Sequence, residues 1–192
     1  MERELLLTGI GGQGIQLAAQ VIARAAMREG RAVQMFGSYG GMMRGGRTDA
    51  TIVIADAAVE APPTVGEAWS AIVMHGAYAA PILAAIRADG IVLAAADVQG
   101  VALDPERYTV VSIDAAAVAE AAGNRMAASM VMAGAYTAVT GIVDVDSVCA
   151  AVAESLPPYR RQLADVNAAA VRAGFDAAPR DVAPAWTGAS VS

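Results

Sequence analysis

The chain has 192 residues, a formal net charge of -6, 56% hydrophobic residues and only 17% charged ones, a balance that excludes intrinsic disorder. A pI of 4.7 argues against nucleic acid as the main partner, because phosphate binding needs a basic face. All thirteen basic residues are arginine, so a P-loop lysine, a Schiff-base lysine and a lysine general base are excluded.

Taken in chain order, Glu4–Thr8 reads as a buried strand and Gly9–Gly14 as a loop. Residues 15–29 then carry Ile15, Ala18, Ala19, Ile22, Ala25 and Ala26 at helical spacing, with Gly30 as the stop. Ala32–Phe36 reads as a second strand, which completes a unit of βαβ size. Gly37–Arg47 is a second glycine-rich segment, Thr48–Ala55 a strand and Asp56–Gly66 a loop. Ala71–Met74, Ile91–Ala96 and Tyr108–Ile113 read as strands of a parallel sheet covered on both faces. Helices are predicted at 81–87, 115–122, 126–141 and 145–156, the last capped by Asp144 or Asp146. Pro157-Pro158 breaks the chain, and 159–173 resumes as a helix stopped by Gly174. The expected fold is α/β: one Rossmann-like domain over residues 1–178, with a mostly parallel sheet and a C-terminal helical segment. Residues 179–192 are expected to be a tail or an arm lying on a partner.

The uncharged stretches 68–86 and 126–143 are rich in Ala, Gly, Ser and Thr, which fits buried helices of a soluble protein better than membrane spans. The apolar start of the chain is too short for a signal peptide. Cys149 and His75 are the sole residues of their types. One copy of the chain therefore lacks the ligands for a four-thiolate iron–sulfur cluster or a Cys/His zinc site, and no metal site is expected. A lone cysteine also favours a reducing, cytoplasmic setting. Cys149 reads as a small buried apolar residue, and His75 as a packed or capping residue rather than a catalytic one.

Two segments have the residue types for anion binding. Gly9, Gly11 and Gly14 satisfy G-x-G-x-x-G between a strand and a helix, where backbone N–H groups at the helix start can meet a phosphate. The same glycines also suit a tight turn with no ligand. An NAD site wants an acid at the end of the second strand, and residues 33–38 hold none. NADP would need an arginine there, and Arg44 and Arg47 are the candidates. In the second segment, Arg44 and Arg47 offer forked donors for phosphate or carboxylate, or pair with acids of another subunit. Met42 and Met43 suggest an apolar contact.

The run from Thr8 to Gly14, followed by Ser38-Tyr39-Gly40 and Met43-Arg44-Gly45-Gly46, resembles the gamma subunit of the 2-oxoacid:ferredoxin (acceptor) oxidoreductases. Gly123-Asn124-Arg125, Met130-Val131 through Gly134-Ala135, Leu156-Pro157 and Asn167 through Phe175 extend the likeness over about residues 4–178. Gly41-Met42 stands where the family usually has Pro-Glu, and Ser129 where it has Asn. The resemblance implies a hetero-oligomer with alpha, beta and ferredoxin-like subunits. Thiamine diphosphate with magnesium and the iron–sulfur clusters would sit on those partners, and ferredoxin or another acceptor would take the electrons. Coenzyme A would bind at this subunit, with Gly9, Gly11, Gly12, Gln13 and Gly14 against its phosphates. Arg44 and Arg47 would be the charge partners, Gly45 and Gly46 between them would belong to the same binding segment, Ser38 and Tyr39 would shape the site, and no residue here would be catalytic. A free-standing NADP-dependent reductase and a non-enzymatic docking scaffold are the alternatives.

Overall fold

The computed structural model describes residues 1–39, 45–60 and 65–186, the side chains of Ser38 and Tyr39 excepted. Its strands are β1 (Glu2–Ile10), β2 (Ala32–Tyr39), β3 (Arg47–Ala55), β4 (Ala68–Val73), β5 (Ile86–Ala95) and β6 (Thr109–Ile113). Its helices are α1 (Ile15–Arg28), α2 (Ala79–Ala84), α3 (Ala115–Ala121), α4 (Ala128–Thr140), α5 (Val145–Ser155) and α6 (Ala164–Ala177). Short 3-10 turns precede α2, α4 and α6 at Gly76–Tyr78, Arg125–Ala127 and Pro158–Leu163.

The described strands form one sheet in the order β2-β3-β1-β4-β5-β6. β1, β4, β5 and β6 pair in parallel, while β3 runs antiparallel between β1 and β2. The sequence places β2 next to β1 through the α1 crossover. Instead β2 and β3 form a hairpin, and β3 occupies the position beside β1. Side chains alternate along β1, so Leu5 and Leu7 face one layer and Leu6 the other. The first layer holds α1, α3, α4, α5 and α6, and all six predicted apolar positions of α1 are buried in it. α2 covers the opposite face through Ala79, Ile82 and Leu83.

The stretch 126–143 resolves into a 3-10 turn and α4, whose residues from Ser129 to Thr140 are all buried within the domain. No described helix is long and apolar enough to cross a membrane. α4 crosses α6 at two glycines. A Cβ on Gly134 would lie 1.9 Å from the Val171 carbonyl oxygen, and one on Gly174 would lie 2.0 Å from that of Val131. Gly174 therefore does not stop α6, as the sequence suggests. It lies inside the helix and lets the two backbones touch. The buried phenol of Tyr136 on α4 meets Ser70 Oγ of β4 at 2.8 Å, and burial pushes its pKa far upward.

The segment 179–186 is engaged with its own domain. A helix leaves its last carbonyls without partners. Here the amides of Asp181, Ala183 and Ala185 donate to the carbonyls of Ala138, Val139 and Thr140 at 2.9, 3.1 and 2.7 Å. Trp186 Nε1 donates to the Ile142 carbonyl at 3.0 Å, and the Arg31 guanidinium lies 3.8 Å from the Trp186 ring centre. Residues 187–192 lie outside the described set.

Candidate functional site: a crevice at the sheet's C-terminal edge

β1 feeds α1 on one face of the sheet, and its parallel neighbour β4 feeds α2 on the other. Where two adjacent strands send their helices to opposite sides, a crevice opens beyond their C-terminal ends. Two lobes occupy it and share Gln13, Met74 and Asp97. One lobe, about 240 Å³, is walled by Ala95, Ala115, Met126 and Ala128, with Gly12 and Arg125 at its edge. The other, about 290 Å³, is more polar, with His75, Gly76 and Gln99.

The first glycine segment forms the floor. Gly12 and Gly14 have φ of 107° and 82°, a left-handed backbone that an L side chain adopts only with strain. A Cβ on Gly12 would meet nothing within 4 Å, so this turn faces open space. Gly14 is the N-cap of α1, and the helix carries no acid in its first turn. Its first amides therefore have no capping side chain, and the two loop residues just before Gly14, Gly12 and Gln13, line the crevice. Gly9 lies under the loop, where a Cβ would fall 2.5 Å from Gln13 Oε1 and 2.7 Å from Ile15 Cδ1.

Gln13 points inward. Its Oε1 accepts from the Ile10 amide at 2.9 Å, and its Nε2 donates to the Met74 carbonyl at 3.1 Å. Its side chain thus ties the loop to the end of β4.

The two glycine segments meet. The Gly11 amide donates to the Gly46 carbonyl at 2.8 Å, and the Gly45 amide donates to the Gly11 carbonyl at 3.3 Å. The β2–β3 hairpin makes this contact, since Arg47 pairs with Ile10 and Tyr39 with Thr48. Ser38 and Tyr39 end β2 at the same edge of the sheet. Arg44, with Gly40, Gly41, Met42 and Met43, lies outside the described residues.

Arg47 is already paired. Its Nε donates to Asp49 Oδ2 at 2.6 Å, while Asp49 Oδ1 accepts from Thr8 Oγ1 at 2.7 Å. Two residues apart on a strand, Arg47 and Asp49 share the face of the sheet away from α1, as does Thr8 on β1. Arg47 therefore serves the strand pairing rather than the α1 amides. Asp49→Asn removes the charge from this half-buried pair and turns one acceptor into a donor. The expected result is a loss of about 1–2 kcal/mol in stability, read from urea unfolding. An unchanged midpoint would show that the pair contributes nothing.

The arginine at the crevice is Arg125, on the 3-10 turn before α4. Asn124 Oδ1 caps that turn by accepting from the Met126 amide at 3.0 Å. Arg125 has no ion-pair partner among the described residues. Sequence reasoning noted Asn124-Arg125 only as part of a resemblance, and it missed Met74, Asp97 and Arg125 as crevice residues. His75 lines the polar lobe and caps the turn before α2, its Nδ1 accepting from the Ala77 amide at 3.3 Å. Ser129, on the first turn of α4, is buried against Gly14, whose Cβ position lies 2.5 Å from its Oγ.

The comparisons with known proteins agree with this fold. The family model described as pyruvate ferredoxin/flavodoxin oxidoreductase matches residues 4–177. A pyruvate synthase subunit PorC from Methanothermobacter marburgensis is 29% identical over 175 residues, covering 90% of this chain and 96% of its own. A 2-oxoglutarate synthase subunit KorC from Methanocaldococcus jannaschii is 31% identical, covering 82% and 85%. The crystal structure of a keto/oxoacid ferredoxin oxidoreductase gamma subunit from Geobacter sulfurreducens superposes with a TM-score of 0.77 at 25% identity, over 92% of this chain and 96% of that one. A 2-oxoglutarate:ferredoxin oxidoreductase from Magnetococcus marinus, solved with 2-oxoglutarate, coenzyme A and succinyl-CoA bound, shares the fold. There the TM-score is 0.79 at 17% identity, over 92% of this chain and 31% of that one. The chain belongs to the pyruvate ferredoxin/flavodoxin oxidoreductase family, with the length and architecture of its gamma subunits.

Proposed function

We propose that this chain is the gamma subunit of a multisubunit 2-oxoacid:ferredoxin oxidoreductase and that it holds coenzyme A in the crevice between β1 and β4. Thiamine diphosphate with magnesium and the iron–sulfur clusters belong, in this reading, to the alpha, beta and ferredoxin-like partners. One cysteine and one histidine suit no cluster within this chain. Burial pushes the Cys149 thiol pKa up, which suits a structural rather than a reactive cysteine, and a lone cysteine fits a reducing, cytoplasmic setting.

The observation that carries the reading is the open start of α1. Gly14 supplies no capping side chain, the turn at Gly12 faces open space, and Arg125, without an ion-pair partner among the described residues, sits on the rim. Free amides and a guanidinium suit the diphosphate of coenzyme A. The apolar lobe suits the methylene-rich parts of its arm, and the polar lobe its amides and ribose. In the complex, coenzyme A would take the acyl group left when the 2-oxoacid loses CO2 and two electrons pass to the acceptor. This chain would bind and orient the thiol carrier while the chemistry proceeds elsewhere.

Arg125→Ala tests this directly. Arg125 is exposed, so thermal stability should stay as in the wild type. Coenzyme A binding by the full chain, measured by calorimetry, should weaken about tenfold or more. In the complex the KM for coenzyme A should rise while that for the 2-oxoacid holds. NADPH titrated in parallel should show no binding. Tight NADPH binding with indifference to coenzyme A would reverse the reading in favour of a free-standing reductase.

A further inference from the structure

The two most exposed large apolar side chains among the described residues are Met126 at 76% and Tyr159 at 73%. Both stand beside arginines. Met126 follows Arg125 on the capped turn before α4, and Tyr159 precedes Arg160 and Arg161 on the turn before α6. The Arg160 guanidinium lies 5.6 Å from the Tyr159 ring centre. None of the three arginines has an ion-pair partner among the described residues.

The two turns lie at one end of α6. Residues 158–163 run straight into that helix at Ala164. The Cβ position of Gly123, beside the other turn, is 3.9 Å from Val166 Cγ2 on the first turns of α6. Both turns are held in shape: one by the Asn124 cap, the other by Pro157 and Pro158, with every residue from Pro158 to Gln162 exposed. A six-residue 3-10 run is unusually long, and nothing within the described domain covers it. The ridge carries three positive charges on a chain whose net charge is -6. Tyr, Arg and Met are the side chains enriched where proteins meet.

We infer that this ridge docks an acidic face of the subunit that carries the reactive centre. The inference rests on the gamma-subunit reading and adds the surface and its partner. One observation and one consequence of the proposed function favour that occupant. Arg125 and Met126 belong both to the ridge and to the crevice wall, so whatever covers the ridge also borders the crevice mouth. A carrier held in that crevice must present its thiol to a centre this chain does not contain, so the subunit bearing the centre must lie over the mouth. The charge sets the chemistry. Three guanidinium groups without an ion-pair partner among the described residues, around two apolar anchors, suit a carboxylate-rimmed apolar patch, and they steer its approach at low ionic strength.

The test uses the whole complex, with this chain co-expressed with its partner subunits. Arg160→Glu/Arg161→Glu and Tyr159→Ala are compared with Arg24→Glu, which reverses an exposed arginine on α1. Assembly is read by analytical ultracentrifugation across a salt series. The double reversal and the tyrosine variant should each weaken assembly at least tenfold, and the wild-type complex should loosen as salt rises. Arg24→Glu should assemble as the wild type does. Coenzyme A binding by the isolated variants should match wild type, which shows that they fold. Wild-type assembly in both ridge variants overturns the proposal. Normal assembly with a raised KM for the electron acceptor also overturns it, because the ridge would then serve the acceptor. Failure of the wild-type chain itself to assemble would instead count against the gamma-subunit reading.

Discussion

Gly134→Ala should destabilise the domain by about 3 kcal/mol or more, beyond the usual range for a single added methyl group. The new Cβ would fall 1.9 Å from the Val171 carbonyl oxygen, and van der Waals contact needs about 3.5 Å. The obstacle is backbone, so no side chain can swing aside. α4 and α6 would have to separate by about 1.5 Å at their crossing. α4 cannot retreat, because its other side packs on α1, α3 and the sheet. Gly174→Ala attacks the same crossing from α6, 2.0 Å from the Val131 carbonyl oxygen, and should cost a similar amount. In a domain of this size that corresponds to a melting point lower by about 6–12 °C in scanning calorimetry. A drop under 2 °C for either variant would mean that the helices do not touch at these glycines. The double variant should cost less than the sum of the two, because the first separation makes room for the second methyl group.

These glycines also show where sequence reading stops. Gly174 near the end of an apolar helical stretch looks like a terminator by local rules. Its purpose is a contact with a residue some forty positions away, and no local pattern encodes that. Strand order has the same character. The pattern of β1, the loop and α1 was plain, down to the six apolar positions on α1. The insertion of β3 between β1 and β2 was not, because pairing is a choice among distant partners. That insertion is what brings Gly45 and Gly46 against Gly11, so both glycine segments were legible and their contact was not. The pairing of Arg47 with Asp49 was legible in principle. On a strand, residues two apart share a face, and an Arg-x-Asp pair there is positioned to neutralise itself. Proline and small residues suggest a tail or an arm lying on a partner, and they do not say what residues 181–186 rest on. Here they let an extended chain run past the end of α4, close enough to satisfy its carbonyls.

Gly14→Ala should weaken coenzyme A binding more than any change that leaves the fold in place. Two costs arise at one atom. At φ 82° an alanine pays about 1 kcal/mol or more for the left-handed backbone. Its Cβ would also fall 2.5 Å from Ser129 Oγ, on the buried first turn of α4. The atom struck is the end of a side chain, so the contact is relieved by turning Ser129 to another rotamer together with a smaller lift of the start of α1 away from α4. That motion re-aims the helix amides proposed to meet the diphosphate, and hydrogen bonds to an anion weaken steeply as their angle departs from linear. The expected outcome is a domain about 2 kcal/mol less stable and at least thirtyfold weaker coenzyme A binding by calorimetry. Adding Ser129→Ala separates the two causes. It removes the oxygen that the new Cβ strikes but leaves the backbone strain. The double variant should therefore regain most of the affinity and only part of the stability. If affinity stays lost while stability returns, the amides are not what holds the anion. If Gly14→Ala alone binds coenzyme A as tightly as wild type, the ligand does not sit on α1 at all.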